Sequence, residues 1–179
     1  YVDLDRKNLT QIINISEKPL FEIGSPGSFD EFGAMTSCFI NVGKKVYGYY
    51  TGWSRLQTVP YTMAIGLAIS SDGGDNNKKI SEGPILGQTE KEPFLLSGPK
   101  IIIENGLWHM WYLVGTKWLN HNGKYEPVYK FAHAKSKDGI SWERNGIPII
   151  PSKFKDECQV SFSVFRHNDK WNAIFAYRK

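Results

Sequence analysis

The chain has 179 residues, 41% hydrophobic and 14% aromatic, with 22% charged residues and a formal net charge of +4. That is enough for one domain with a core, and it excludes a chain disordered by composition. Lys and Arg are scattered, in pairs such as Lys44-Lys45 and Lys78-Lys79, so no nucleic-acid surface is expected; no apolar run reaches bilayer length, so no membrane partner is expected either.

The chain opens on Tyr1-Val2-Asp3-Leu4-Asp5, a strand-like start without the basic flank of a signal peptide, and upstream sequence is expected to have been removed. Cys38 and Cys158 are too few for a disulfide scaffold. They are expected as buried thiols of a cytoplasmic protein. Residues 1–24 read as the outer strands of one sheet.

From there the sequence repeats. "SCFINVGKKVYGYYTGW" (37–53) lies on "PKIIIENGLWHMWYLVG" (99–115), and a third copy begins at "SFSVFRHNDKWNAIFAYR" (161–178). Tyr50 then falls on Tyr112 and Trp108 on Trp171, at intervals of 62 and 63 residues. "LAISSDGG" (67–74) matches "HAKSKDGI" (133–140) in the same register. A period near sixty suits four strands with generous loops, one blade of a propeller. The runs are rich in Val, Ile, Tyr, Phe and Trp, which favours strands. Asn105-Gly106, Asn168-Asp169, Asp72-Gly73 and Asp138-Gly139 supply tight turns. No window of ten or more residues has helical periodicity.

The expected architecture is therefore all-β, a β-propeller of four-stranded antiparallel blades. Residues 25–88 and 89–152 are two whole blades, and 153–179 are the two inner strands of another. About three blades are present, so either further chain segments or a second copy is expected to complete the propeller. Alternation places Trp108, Met110 and Tyr112 on one face of their strand and His109, Trp111 and Leu113 on the other. Trp108 and Trp171 are expected to pack between blades.

Each repeat carries acid just before its first strand: Asp30-Glu31, Glu92, and Asp156-Glu157. First strands line the axis of a propeller, so these carboxylates are expected to converge on one end of it. Like charges held close push pKa values apart, the condition for one acid and one base at the same pH. Singly, such acids are as readily turn residues; the shared register favours a site. Trp53 and Trp118 close the second strands among polar and glycine-rich neighbours, where an indole can stack on a sugar ring. His109 and Trp111 on their shared face, and Arg178 as a grip for carboxylate or hydroxyls, complete the expected substrate-binding set. The four histidines show no metal-like spacing and no Asp-rich loop is present, so neither metal nor cofactor is expected.

These motifs, taken together, resemble the five-bladed β-propeller glycosidase-like proteins, the group around glycoside hydrolase families 32, 43 and 68 and their poorly characterised bacterial relatives. Glu157-Cys158 looks like the Glu-Cys pair that carries the acid in family 32. Glu92-Pro93 looks like the Asp-Pro of the residue that tunes it, with Glu for Asp and no preceding arginine. Asp30 stands where an early aspartate is expected, although "SFDEFGAM" departs from the Asn-Asp-Pro-Asn type of motif. The resemblance implies a carbohydrate substrate and cleavage of a glycosidic bond: Glu157 protonating the leaving oxygen, Asp30 as nucleophile or base, Glu92 holding the sugar or raising the pKa of Glu157. A sugar-binding propeller without catalysis, or a structural interaction module, is the alternative. "SKDGISWER" also resembles the sialidase Asp-box with its glycine one place early, which makes Asp72, Asp138 and Trp142 structural.

Overall fold

The computed structural model describes residues 1–178; Lys179, the last residue of the final expected blade, lies outside the described residues. The described residues form twelve strands and no helix. β1 (Val2–Leu4) and β2 (Ile12–Ile15) make a two-stranded sheet. β3 (Gly33–Val42), β4 (Lys45–Arg55), β5 (Tyr61–Ser70) and β6 (Lys78–Lys79) make a four-stranded antiparallel meander, and β7 (Leu96–Glu104), β8 (Leu107–His121), β9 (Lys124–Ser136) and β10 (Glu143–Arg144) repeat it. β11 (Cys158–His167) and β12 (Lys170–Arg178) pair as a hairpin. The two meanders are the expected four-stranded blades, and the chain forms part of a propeller.

The turns follow from their residues. Asn105-Gly106 and Asn168-Asp169 take positive φ at both positions, as do Asn122 and Gly123 between β8 and β9, the geometry that lets a two-residue turn follow the twist of its strands. Both Ser-x-Asp segments are hydrogen-bonded turn devices. The Ser136 hydroxyl accepts from the amides of Asp138 and Gly139, and the Asp138 carboxylate accepts from those of Ile140 and Ser141, both at 2.8 Å. Ser70 and Asp72 do the same in the preceding blade, with Gly74 and Asn76 as donors. Gly139 lies close beneath the Trp108 ring at φ +74, where a side chain would meet that ring and the Tyr49 hydroxyl. Tyr49 donates to the Gly139 carbonyl at 2.8 Å, and its ring meets Trp142 edge-on, so this turn also joins one blade to the next.

The alternation along β8 decides the packing. Trp108, Met110 and Tyr112 enter the larger core with Tyr49, Ile65, Leu67 and Leu86 of the preceding blade. Trp111 and Leu113 face the other way, onto Phe131, Phe162 and Phe175. A sheet apolar on both faces is stable only between two neighbours, which is the arrangement of stacked blades. Cys158 is buried and Cys38 half-buried, and both are free thiols.

Every long first strand carries a bulge near its start. The register shifts between Thr36 and Cys38, between Ser97 and Lys100, and between Val160 and Phe162. Gly98 and Ser161 take positive φ at these points. Thr51, fully buried in β4, accepts from the Gly98 amide at 3.0 Å, and Lys100 donates to the Ser37 carbonyl, so two neighbouring bulges are bonded across the blade interface. Bulges bend a strand and sharpen its twist, here at the same place in each repeat.

His109 of β8 and His133 of β9 stack, with their ring nitrogens 3.1 Å apart. Trp111 and Trp171 of β12 pack on the same cluster. Burial, the His109 ring and Lys135 of β9 hold the His133 pKa down at about 4, against an ordinary 6.5. As pH falls from 6.5 to 4, the unfolded chain therefore takes a proton that the folded chain refuses, and stability is lost through that window. Thermal melts of wild type and His133→Gln between pH 7.5 and 4 are expected to converge on acidification, the variant being flatter; parallel curves would show that His133 does not titrate against folding.

Candidate active site

In each sheet the first strand begins and the second ends at one end, and in the two four-stranded sheets the third begins there too. Gly33 pairs with Trp53 and Trp53 with Met63; Leu96 pairs with Val114 and Val114 with Lys130; Cys158 pairs with Arg178. Asp30, Glu92 and Glu157 precede the first strands and so stand at that end of their own sheets. Trp53 and Arg178 share it, and Trp118 lies just past it, where β8 and β9 run on as a long ribbon. His109 and Trp111 do not share it: they pair with Ile102 and Lys100, toward the opposite hairpin, and are occupied in the contact with Trp171.

All three acids are buried, at no more than 1% exposure. A buried carboxylate needs a compensating charge and filled lone pairs, and the first two blades supply these identically. Asp30 accepts from the Tyr50 hydroxyl at 3.1 Å and is ion-paired to Lys79 of β6 at 2.6 Å. Glu92 accepts from the Tyr112 hydroxyl at 2.5 Å and is ion-paired to Arg144 of β10. In both, the tyrosine follows the acid by 20 residues and sits on the second strand, and the cation comes from the outermost strand. Arg144 also donates to the Gly87 carbonyl at 2.5 Å. Asp30 and Lys79 border a cavity of about 260 Å³ with Ser28 and Glu82.

Glu157 is held differently. In the register that places Trp108 on Trp171, Tyr112 falls on Phe175, which has no hydroxyl and packs on Phe131, and the tyrosine 20 residues after Glu157, Tyr177, packs on Phe154. Instead Glu157 accepts from the Gln159 side chain at 2.9 Å and from the Lys153 amide at 2.7 Å, and Lys130 of β9 stands 4.0 Å away. The Gln159 bond, with the Lys153 amide next, holds the Glu157 pKa below the ordinary glutamate value. Burial lowers the pKa of Lys130, and Glu157 opposes that shift. The neighbouring Asp156, at φ +61, pairs with Lys117. Cys158 points into the β8–β9 ribbon near the Pro127 carbonyl.

The aromatic pair expected to stack on sugar is placed as follows. Trp53 lies over Gly33 and packs on Phe32, half-buried. Trp118 meets Tyr61 edge-on at 5.6 Å and is half-buried too. Arg178 is ion-paired to Glu126 at 2.7 Å. Among the described residues no group of three or more His, Cys, Asp or Glu side chains is arranged to hold a metal ion.

Tyr50, Tyr112, Lys79 and Arg144 were not among the site residues expected from sequence, yet for the tyrosines the signal was there. The same 62-residue interval that relates Asp30 to Glu92 relates Tyr50 to Tyr112. Arg144→Leu, which leaves Glu92 buried and unpaired, is expected to cost about 3–5 kcal/mol in a denaturant melt, and the double change with Glu92→Leu to cost clearly less than the sum of the single ones. Additive costs would mean that the two charges do not depend on each other.

Residues 94–179 match the family model described as the glycosyl hydrolases family 32 N-terminal domain. Two uncharacterised proteins of Mycobacterium tuberculosis, from strains CDC 1551 and H37Rv, are each 34% identical over 134 residues, 75% of this chain and 44% of theirs. A 1,2-beta-oligomannan phosphorylase of a Thermoanaerobacter species is 29% identical over 119 residues, 66% of this chain and 36% of its own. The chain thus spans less than half the length of these curated relatives. Among solved structures, the GH32 beta-fructofuranosidase of Bombyx mori matches with a TM-score of 0.64 at 19% identity, covering 79% of this chain and 29% of that one, a likeness of fold. The chain thus has the fold of part of a β-propeller, and its second half carries the family 32 N-terminal pattern.

Proposed function

We propose that the protein carrying this chain cleaves glycosidic bonds, with the acid-bearing end of the sheets as its site. The observation that carries this reading is the difference among three equivalent carboxylates. Asp30 and Glu92 are each engaged by a tyrosine hydroxyl and a close cation, whereas Glu157 has neither. A carboxylate relieved of the structural contacts of its counterparts is the one free to take another role, and Glu157 stands in the Glu-Cys pair and in the stretch that matches the family pattern.

Glycoside cleavage needs one carboxyl group to protonate the leaving oxygen and another to act as nucleophile or base. Glu157 is the candidate proton donor. Its present hydrogen bonds favour the charged form, so in that role it takes up its proton when a second negative group approaches and raises its pKa. Asp30 borders a cavity and is the candidate second carboxylate; Glu92 is the candidate tuning group. Water or, as the name of the Thermoanaerobacter relative suggests, inorganic phosphate is the acceptor.

A second reading, a sugar-binding propeller without catalysis, is favoured by the same buried ion pairs of Asp30 and Glu92, since a carboxylate locked to a cation is poorly placed to attack. Turnover separates the two. In the protein carrying this chain, Glu157→Gln is expected to lower glycoside turnover by roughly 10²- to 10⁴-fold at an unchanged melting temperature. Undiminished turnover would overturn the role of Glu157, and glycan binding with no turnover of any glycoside by the wild type would establish the binder.

A further inference from the structure

Between the blades, at the acid-bearing end, lies a second and larger cavity of about 690 Å³ that none of the three acids lines. Its walls are the loop 56–60 between β4 and β5, Gly123 of the turn between β8 and β9, and the start of β9. Its volume falls within the range of small-molecule sites. Its polar groups come from three separate sheets: Tyr61 from β5, Glu126 and Tyr129 from β9, and Arg178 from β12.

These groups are paired with each other in a specific way. The Tyr61 and Tyr129 hydroxyls are 3.2 Å apart. Arg178 donates to Glu126 at 2.7 Å, although 52 residues separate them and each is about half exposed. Trp118 backs the Tyr61 ring. The site thus offers a guanidinium and a carboxylate side by side, two phenol hydroxyls that donate and accept, and aromatic ring surface. Neighbouring hydroxyls of a sugar each donate and accept, which an adjoining donor and acceptor satisfy together. The C–H face of the same ring suits an aromatic platform. The charge is informative as well: Glu126 already neutralises Arg178, so an anionic ligand would meet the carboxylate's repulsion, while the exposed Lys124 at the rim is screened by solvent.

We infer that this cavity, built by Tyr61, Tyr129, Glu126 and Arg178, is a binding subsite for a neutral sugar unit of the glycan. The inference rests on the glycosidic reading of the acid-bearing end, but concerns binding at a place where the acids do not reach. It makes Arg178 and Glu126 a recognition pair acting together, with the tyrosines as the surface they hold the ring against.

The test uses the protein carrying this chain, made inactive by Glu157→Gln, and calorimetric titration with two neutral probes, a 1,2-β-linked manno-oligosaccharide and sucrose, and with sucrose 6-phosphate as the anionic counterpart. At least one neutral probe is expected to bind. Arg178→Ala, Glu126→Ala and Tyr61→Ala are each expected to weaken that binding tenfold or more, and sucrose 6-phosphate is expected to bind no better than sucrose. In the active protein Arg178→Ala is expected to raise KM with kcat little changed. Because Arg178 and Glu126 are half exposed, the melting temperature serves as a control and is expected to stay within a few degrees. Neutral binding that survives all three changes, or tighter binding of the phosphorylated sugar, overturns the subsite and leaves the proposed activity standing. Absence of binding by all probes overturns the subsite, and it overturns the activity too only if the wild type also turns over no glycoside.

Discussion

Glu92 has no exposed surface, its charge is balanced by Arg144, and the Tyr112 hydroxyl closes on it. One side chain thereby joins the approach to β7, the second strand β8 and the outermost strand β10. Asp30 does the same for its own blade through Tyr50 and Lys79. A buried ion pair of this kind is weak evidence for added stability, because desolvation offsets much of the attraction. What it supplies is a fixed position. In these two blades the approach to the first strand is fixed by a carboxylate that reaches both a tyrosine on the second strand and a cation on the fourth.

That constraint bears on how function is distributed along the chain. The repeat places an acid at the same point three times, and two of the three are held by a tyrosine hydroxyl and a close cation. The third blade has Phe175 in place of the tyrosine, and its carboxylate relies on Gln159 and a backbone amide instead. The third blade thus departs from the repeated pattern in the partners of its carboxylate, with a phenyl ring in the register where the other blades carry a phenol. The same end of the sheets also gathers Trp118, Tyr61, Tyr129 and the Arg178–Glu126 pair, while the opposite end is given to aromatic packing around His109 and Trp111.

Much of the architecture was legible in the residues, because the repeat carries its own physics. The two faces of β8 follow from alternation, and the turns from Asn-Gly and Asp-Gly dipeptides that tolerate positive φ. The bulges were not legible: Ser37, Gly98 and Ser161 are small residues common in any strand-rich chain, and an inserted residue in a strand leaves no compositional trace. Nor were the long-range pairings, such as Arg178 with Glu126 or His109 with His133, which are set by how neighbouring strands and blades meet. His109 and Trp111 read from sequence as substrate-binding because they share a face with each other; the structure adds that Trp171 already covers that face, away from the acids.

The outer strands β6 and β10 are only two residues long. So few ladder bonds hold a strand weakly, yet these two strands are all that covers the long β5 and β9 along their outer sides. Lys79 and Arg144 are rooted in the carboxylates at the far side of the blade, and that anchorage keeps the short strands in place. The hazard of losing them is intermolecular. With the outer strand detached, β5 or β9 presents a row of free amides and carbonyls, the template on which another chain adds a strand and aggregation begins. Asp30 and Glu92, which precede the first strands, therefore also help keep the outer edges of their sheets covered.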